Sequence, residues 1–248
     1  MNKLTNFFKI LNSRYVYTYD RNVIGNNGIY KDNEWHETRV VDNTFYSNPT
    51  NKNYYEMIFN DPSKISSANN LAKNFNFAEI NKIGDIGGVP FSQAWTIKKI
   101  NPHLNFHLTD YDEKSTKIFL DCPIFQSNNF SLERFDVIYD NLDIFNDCDL
   151  ITMWGVDYAL DDDSLLNIFK NLLKNNQKML LASLDNENDN IFKNLLRVIY
   201  NSFESFFGRS RYHGILRNSA YFDSLCSGAG VKLKLVTVAD GYRIYLIN

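Results

Sequence analysis

The sequence predicts an α/β protein: a seven-stranded, mostly parallel sheet with helices on both faces, an antiparallel C-terminal hairpin, and an N-terminal cap of helices and loops. Three observations predict it. From residue 80 onward, strand-like apolar runs alternate with helical patterns, which implies βα units joined by right-handed crossovers. The first strand enters a glycine turn, Lys82-Ile83-Gly84-Asp85-Ile86-Gly87-Gly88-Val89-Pro90, and the next, Phe106-His107-Leu108-Thr109-Asp110, ends on a carboxylate. Near the C-terminus, Asp240-Gly241 separates two apolar runs. That dipeptide signals a hairpin because both central residues of a type I′ turn need positive φ, so the two strands are antiparallel.

Residues 1–79 form the expected cap, a segment that covers the substrate side of residues 80–248. Ser13 to Asn53 is crowded with Tyr, Asn, Asp and charged side chains, and short helices are expected at Tyr54 to Phe59 and Ser66 to Phe77. The first sheet strand is expected at Ile80 to Ile86, then a helix over Phe91 to Ile100 that stops before Asn101-Pro102. Asn105 to Thr109 reads as the second strand and Glu113 to Leu120 as a helix. Phe135 to Tyr139 reads as the third strand, and Asp149 to Trp154 as the fourth. Asp163 to Lys174 places Leu165, Leu166, Ile168, Phe169, Leu172 and Leu173 on one broad helical face. Lys178 to Ser183 follows as a fifth strand and Asp189 to Phe207 as a long helix. Val231 to Ala239 and Tyr242 to Ile247 form the closing hairpin.

Composition narrows the function. Hydrophobic residues make up 44% and aromatic residues 15%, enough for a full core. No apolar run approaches the roughly 18 residues of a membrane span. Met1 to Ile10 has no signal-peptide hydrophobic region, so the expected location is cytoplasmic. Cys122, Cys148 and Cys226 form no CxxC pair and are expected as buried thiols. No His, Asp or Glu spacing resembles a metal site, and none is expected. A net charge of −3 without a long Lys/Arg block argues against a nucleic-acid partner.

The glycine turn lets backbone approach a polar ligand group, and the acid at the next strand end suits a ribose diol, so a nucleoside cofactor is expected. With the reversed last strand added, residues 78–248 resemble a class I S-adenosylmethionine-dependent methyltransferase with its Rossmann-like sheet. The family's first motif is similar to Asp85-Ile86-Gly87-Gly88-Val89-Pro90, and its ribose-binding acid matches Asp110, beside Tyr111. The adenine-flanking position after the third strand matches Asp140 or Asn141. The segment after the fourth strand resembles Met153-Trp154-Gly155-Val156-Asp157-Tyr158, with Asp161 to Asp163 opening the next helix. Two departures stand out: Val89-Pro90 replaces a glycine of the loop, and Lys174 to Lys178 lacks the glycine that usually precedes the fifth strand.

The resemblance implies S-adenosyl-L-methionine as cofactor, held by Asp85, Gly87, Gly88, Asp110, Tyr111, Asp140 or Asn141, Trp154 and Gly155. For proton removal the candidates are His213, His36 and Asp157. His213 lies in Gly208-Arg209-Ser210-Arg211-Tyr212-His213-Gly214, read as a loop before the sixth strand. Arg209, Arg211 and Tyr212, with Tyr158, are the candidates for binding an acceptor. The expected partner is a polar small molecule, anionic or sugar-derived and methylated on oxygen, and a homodimer is open to such a chain. Two alternatives remain: a methyltransferase-like binding domain without catalysis, and a nicotinamide-dependent oxidoreductase.

Overall fold

The computed structural model describes residues 14–18, 29–31, 34–36, 62–89, 91–111, 113–184 and 211–248. The helices expected at 54–59 and 189–207, with Pro90 and Arg209, lie outside them. Three short strands come first: β1 (Arg14–Thr18), β2 (Ile29–Lys31) and β3 (Glu34–His36). Then follow α1 (Pro62–Asn74), β4 (Lys82–Ile86), α2 (Ser92–Ile100), β5 (Asn105–Asp110) and α3 (Glu113–Leu120). After α4 (Pro123–Gln126) and β6 (Ser131–Arg134), a 3-10 turn at Leu142–Phe145 leads to β7 (Leu150–Trp154). A second 3-10 turn, Asp157–Ala159, precedes α5 (Asp162–Lys174) and β8 (Met179–Leu184). The chain closes with β9 (Arg211–Leu216), α6 (Ser219–Ala229), β10 (Leu233–Ala239) and β11 (Tyr242–Ile247).

Seven strands form the central sheet in the order β10-β11-β8-β7-β4-β5-β6. The pairings among β8, β7, β4, β5 and β6 are parallel, and β11 runs antiparallel to both β8 and β10. The hairpin turn is as expected: Asp240 has φ 47° and Gly241 φ 83°. Because β4 pairs with β5 on one side and β7 on the other, the strand order reverses there, and in open α/β sheets such a reversal forms the ligand crevice at the carboxyl ends of the strands.

Alternation along β8 divides the core. Leu180 and Ala182 join a cluster containing Leu71, Ile97, Phe106 and Phe119, while Met179 and Leu181 join one containing Phe145, Ile168, Phe169 and Phe222. The aromatic share noted in the sequence is spent here: Phe91 packs edge-on against Phe119 and Phe125 at 5.7 and 5.8 Å. Helix α5 buries Leu165, Ile168, Phe169 and Leu172, each contributing about 1.5–3 kcal/mol. Its start is capped by the Asp161 side chain, which accepts from the Ser164 N–H at 2.8 Å. It ends without the glycine expected before β8, because Asn176 takes the left-handed conformation itself, at φ 51°.

Several elements differ from expectation. The third strand is Ser131–Arg134, and Phe135 to Tyr139 is a turn region. An edge strand has one unpaired side, so a polar Ser-Leu-Glu-Arg stretch suffices, whereas the apolar Phe135 and Val137 turn into the core. The part of the cap described before residue 37 is stranded: β2 and β3 form a hairpin, and β1 pairs antiparallel with β9. His213 therefore sits in a strand, because Arg211–Leu216 finds an edge partner in Arg14–Thr18. Helix α1 packs on α2 and β10, with Ala68 and Leu71 fully buried in the same cluster as Ile83. No helix among the described residues is long and apolar enough to cross a membrane.

Candidate functional site

The strand ends at the crevice carry most of the residues singled out by sequence. Asp85, the fourth residue of β4, is 3% exposed. Thr152 of β7 donates its hydroxyl to Asp85 Oδ1 at 2.6 Å, while Thr109 of β5 donates to the Asp85 carbonyl at 3.0 Å. Asp85 is thus held from both neighbouring strands, its side chain from β7 and its backbone from β5. Burial pushes its pKa from 3.8 up to about 7; the Thr152 hydrogen bond opposes the rise and the negative charge of Asp110 adds to it.

The glycine turn is shaped by what surrounds it. At Gly88 a Cβ would stand 2.9 Å from Asp85 Oδ2, and at Gly87, φ +66°, one would stand 2.4 Å from Val156 Cγ2. A larger residue would collide with the Asp85 carboxylate at Gly88 or with Val156 of the loop after β7 at Gly87. The Gly88 N–H donates to the Thr109 carbonyl at 2.8 Å, which ties the turn to β5. Val89 packs partly into the core, so the departure from glycine there is a packing residue. One residue beyond Thr109, the buried Asp110 closes β5 and accepts from the Phe135 N–H through its carbonyl at 2.9 Å; Tyr111 beside it is exposed.

Asp140 and Asn141 have local work. Asp140 accepts from the Asp136 N–H at 2.7 Å, and Asn141 caps the 3-10 turn at the Asp143 N–H at 3.3 Å. The buried carboxylate in this segment is Asp136, 5% exposed, two residues past the end of β6. Sequence reading missed it because Phe135 to Tyr139 imitates a strand, which would have made Asp136 an ordinary strand position.

Beyond β7, Trp154 meets Tyr242 edge-on at 6.3 Å, and Gly155, φ +60°, lies 3.6 Å (from its Cβ position) from the same Tyr242 ring, with Tyr158 at 4.0 Å. Asp157 is fully buried. Ser183 donates to its Oδ2 at 2.7 Å, while Oδ1 has no hydrogen-bond partner. Burial raises its pKa from 3.8 to about 6 against the opposing effects of Ser183, Arg217 and the nearby backbone N–H groups of Asp157 and Tyr158, which make no well-aligned hydrogen bond to Oδ1.

Arg217, unmarked in the sequence, holds this turn. It is 1% exposed and donates to the carbonyls of Asp157 at 2.8 Å and Leu160 at 2.7 Å. Its Nε and Nη2 also reach Asp162 Oδ1, at 3.1 and 3.0 Å, while Tyr221 donates to the other oxygen of Asp162. One guanidinium fork therefore fastens the turn after β7 to the start of α5 and to the exit of β9.

Strand β9 lies beside the Asp157–Ala159 turn, and β2 lies beside β9. In the β1–β9 register Val16 faces Gly214 and Tyr17 faces Tyr212, so His213 is the extra residue of a β-bulge. Arg211 and Tyr212 occupy the adjoining positions, and His36 closes β3 opposite Ile29. The fold thus brings the backbone of Arg211, Tyr212 and His213 to the same end as Asp157.

No family model matches the sequence, and neither does any curated protein. Solved structures do. Mitomycin 7-O-methyltransferase is 16% identical over 82% of this chain and 60% of its own, with a TM-score of 0.58. Human N-acetylserotonin methyltransferase, solved with S-adenosylmethionine, is 14% identical over 82% of this chain and 58% of its own, also at 0.58. An O-methyltransferase from neocarzinostatin biosynthesis, solved with S-adenosylhomocysteine and 1,4-dihydroxy-2-naphthoic acid, is 14% identical over 81% and 58%, again at 0.58. The chain spans less than two thirds of the length of each. Its fold is that of the class I S-adenosylmethionine-dependent methyltransferases.

Proposed function

We propose that the protein is an S-adenosylmethionine-dependent methyltransferase acting on an oxygen of a polar small molecule, anionic or sugar-derived. The observation that carries this reading is the convergence of Asp85, Gly87 and Gly88, Asp110, and Trp154 with Gly155 at the carboxyl ends of β4, β5 and β7. Gly88, where a Cβ would stand 2.9 Å from Asp85 Oδ2, keeps backbone close to the carboxylate, which fits a ligand group brought near both. S-adenosyl-L-methionine, when bound, supplies a methyl group on a cationic sulfonium.

In this reading Asp85 faces the cationic methionine end, Asp110 accepts from the ribose hydroxyls, and Tyr111 borders them. Asp136 joins Asp140 and Asn141 as a candidate for the adenine amino group. Trp154 and Gly155 complete the wall. Asp157 is the first candidate to take the acceptor's proton: its Oδ1 is unpartnered, and its raised pKa brings it nearer neutrality. His213, at the bulge, and His36 are the others. Arg209, Arg211, Tyr212 and Tyr158 would recognise the acceptor, beneath the cap assigned to residues 1–79. An aromatic hydroxy acid bound by the neocarzinostatin enzyme supports an acceptor of that size and charge.

Calorimetric titration tests the cofactor. S-adenosylmethionine is expected to bind and NAD is not; the reverse would make the chain an oxidoreductase, which the reversed β11 argues against. Transfer of labelled methyl groups to a metabolite extract, with none to RNA or protein, is expected next. Binding without turnover on any acceptor would instead favour a non-catalytic domain.

Asp85 sets a pH dependence. A cation prefers the ionised carboxylate, so cofactor affinity is expected to rise with pH through about 7 and then level off. Stability moves the other way. The folded pKa, about 7, lies above the reference 3.8, so this group's contribution is fully present below about 3.8 and is lost as pH rises through 7. Asp157 adds the same sign with its loss ending near 6. Titration calorimetry and thermal unfolding from pH 5 to 8, on the native chain and Asp85→Asn, check both slopes; the variant should flatten the affinity slope and keep only the part of the stability slope below about 6 that Asp157 contributes.

A further inference from the structure

At the opposite end of the same strands lies a group of side chains that methyl transfer does not use. His107 is the third residue of β5, and Asp147 and Cys148 lead into β7. They stand some forty residues apart in sequence, and only the placement of β4 between β5 and β7 brings them together. One ligand atom from each, a ring nitrogen, a carboxylate oxygen and a thiol sulfur, lies within 4.8 Å of the other two.

The ring of His107 is held as a metal ligand is held. Its Nε2 pairs with Glu133 of β6, and its face meets the ring of Phe145 at a centroid distance of 5.6 Å. Phe145 in turn occupies the space where Gly84 has no side chain. A carboxylate accepting from Nε2–H fixes the neutral tautomer with its lone pair on Nδ1. That Nδ1 is buried and has no hydrogen-bond partner, on a side chain 10% exposed. Cys148 directs its thiol at Asp147 Oδ1, 3.6 Å away, and Lys82 pairs with Asp147 Oδ2. Asp147 is 65% exposed, which leaves a path from solvent.

We propose that His107, Asp147 and Cys148 form a three-residue site for a borderline-soft divalent cation, zinc above all, with water as the fourth ligand. A nitrogen, sulfur and oxygen set suits zinc and disfavours magnesium or calcium, which take oxygen ligands. On binding, the Cys148 S–H bond breaks and its proton passes to solvent. The sulfur–metal bond replaces it, and Asp147 Oδ1, released from the thiol, becomes a ligand while Oδ2 stays on Lys82. The cation would pin β5 to the entrance of β7, away from the crevice, so the site stands or falls independently of methyl transfer.

Cobalt(II), a spectroscopic substitute for zinc, tests the site on the full chain. Stoichiometric binding with thiolate-to-cobalt charge-transfer absorption is expected, displaced by one equivalent of zinc. Cys148→Ser should abolish that band and Cys226→Ser should keep it. His107→Gln should weaken zinc binding at least tenfold by competition with a chelating dye, with circular dichroism confirming that both variants fold. Zinc at a hundredfold excess over Kd should raise the Tm of the native chain by roughly 5–10 °C. No charge-transfer band in the native chain, its persistence in Cys148→Ser, or unchanged zinc affinity in His107→Gln would each overturn the proposal.

Discussion

Replacing Arg217 by leucine is expected to destabilise the protein by about 3–5 kcal/mol, lowering Tm by roughly 10 °C. The guanidinium is 1% exposed, and its removal leaves the Leu160 carbonyl without this donor, the Asp157 carbonyl with only the Leu160 N–H at 3.2 Å, and the half-buried Asp162 without its counter-charge. Breaking one side of such a pair costs more than the pair contributes, because the partner stays behind desolvated. Arg217→Lys keeps the charge but cannot reach two carbonyls and a carboxylate at once, so it should recover less than half of the loss. Thermal and urea unfolding of the two variants measure this. If Asp157 takes the acceptor's proton, a loosened turn should also lower kcat more than it raises KM. A variant as stable as the native chain would show that water replaces the fork, and that Arg217 does not hold the turn.

Asp110→Ala is the second large effect. Under the proposed function its carboxylate accepts from both ribose hydroxyls, and charge-assisted hydrogen bonds are worth about 1.5–3 kcal/mol each. Cofactor affinity should therefore fall roughly 100-fold or more. Titration calorimetry on Asp110→Ala and Asp110→Asn separates charge from shape, since asparagine still offers one acceptor oxygen. The backbone bond from the Phe135 N–H to the Asp110 carbonyl is present in both variants, so a loss of affinity does not come from that bond. An affinity within threefold of the native value would remove Asp110 from the ribose site.

Legibility in the sequence followed the range of the interactions. Local rules sufficed for β4, β5, β7, β8 and the β10–β11 hairpin, each an apolar run bounded by turn residues, and for α5, whose stripe and Asp161 cap are both local. The same rules misplaced β6. As an edge strand it is specified by its parallel register with β5, His107 to Ser131 through Asp110 to Arg134, and hardly by its own composition. They also missed β9, which exists as a strand through β1, nearly two hundred residues earlier. Helix α6 went unread too, although Asn218 caps it at the Tyr221 N–H and Gly230 ends it in the left-handed conformation.

The candidate site divides in the same way. Asp85, Gly87, Gly88 and Asp110 were readable because a strand, a tight turn and a strand end are neighbours in the chain. What the sequence by itself determined is the sheet's strand–helix rhythm, its reversed last strand, and the cofactor class that such a sheet resembles. Only the tertiary structure decided that Asp136 is the buried acid beyond β6, that Arg217 secures Asp157, and that His107 meets Asp147 and Cys148. The physical reason is common to all three. Desolvation and hydrogen-bond pairing depend on what lies across the fold, and a side chain's neighbours along the chain carry no record of that.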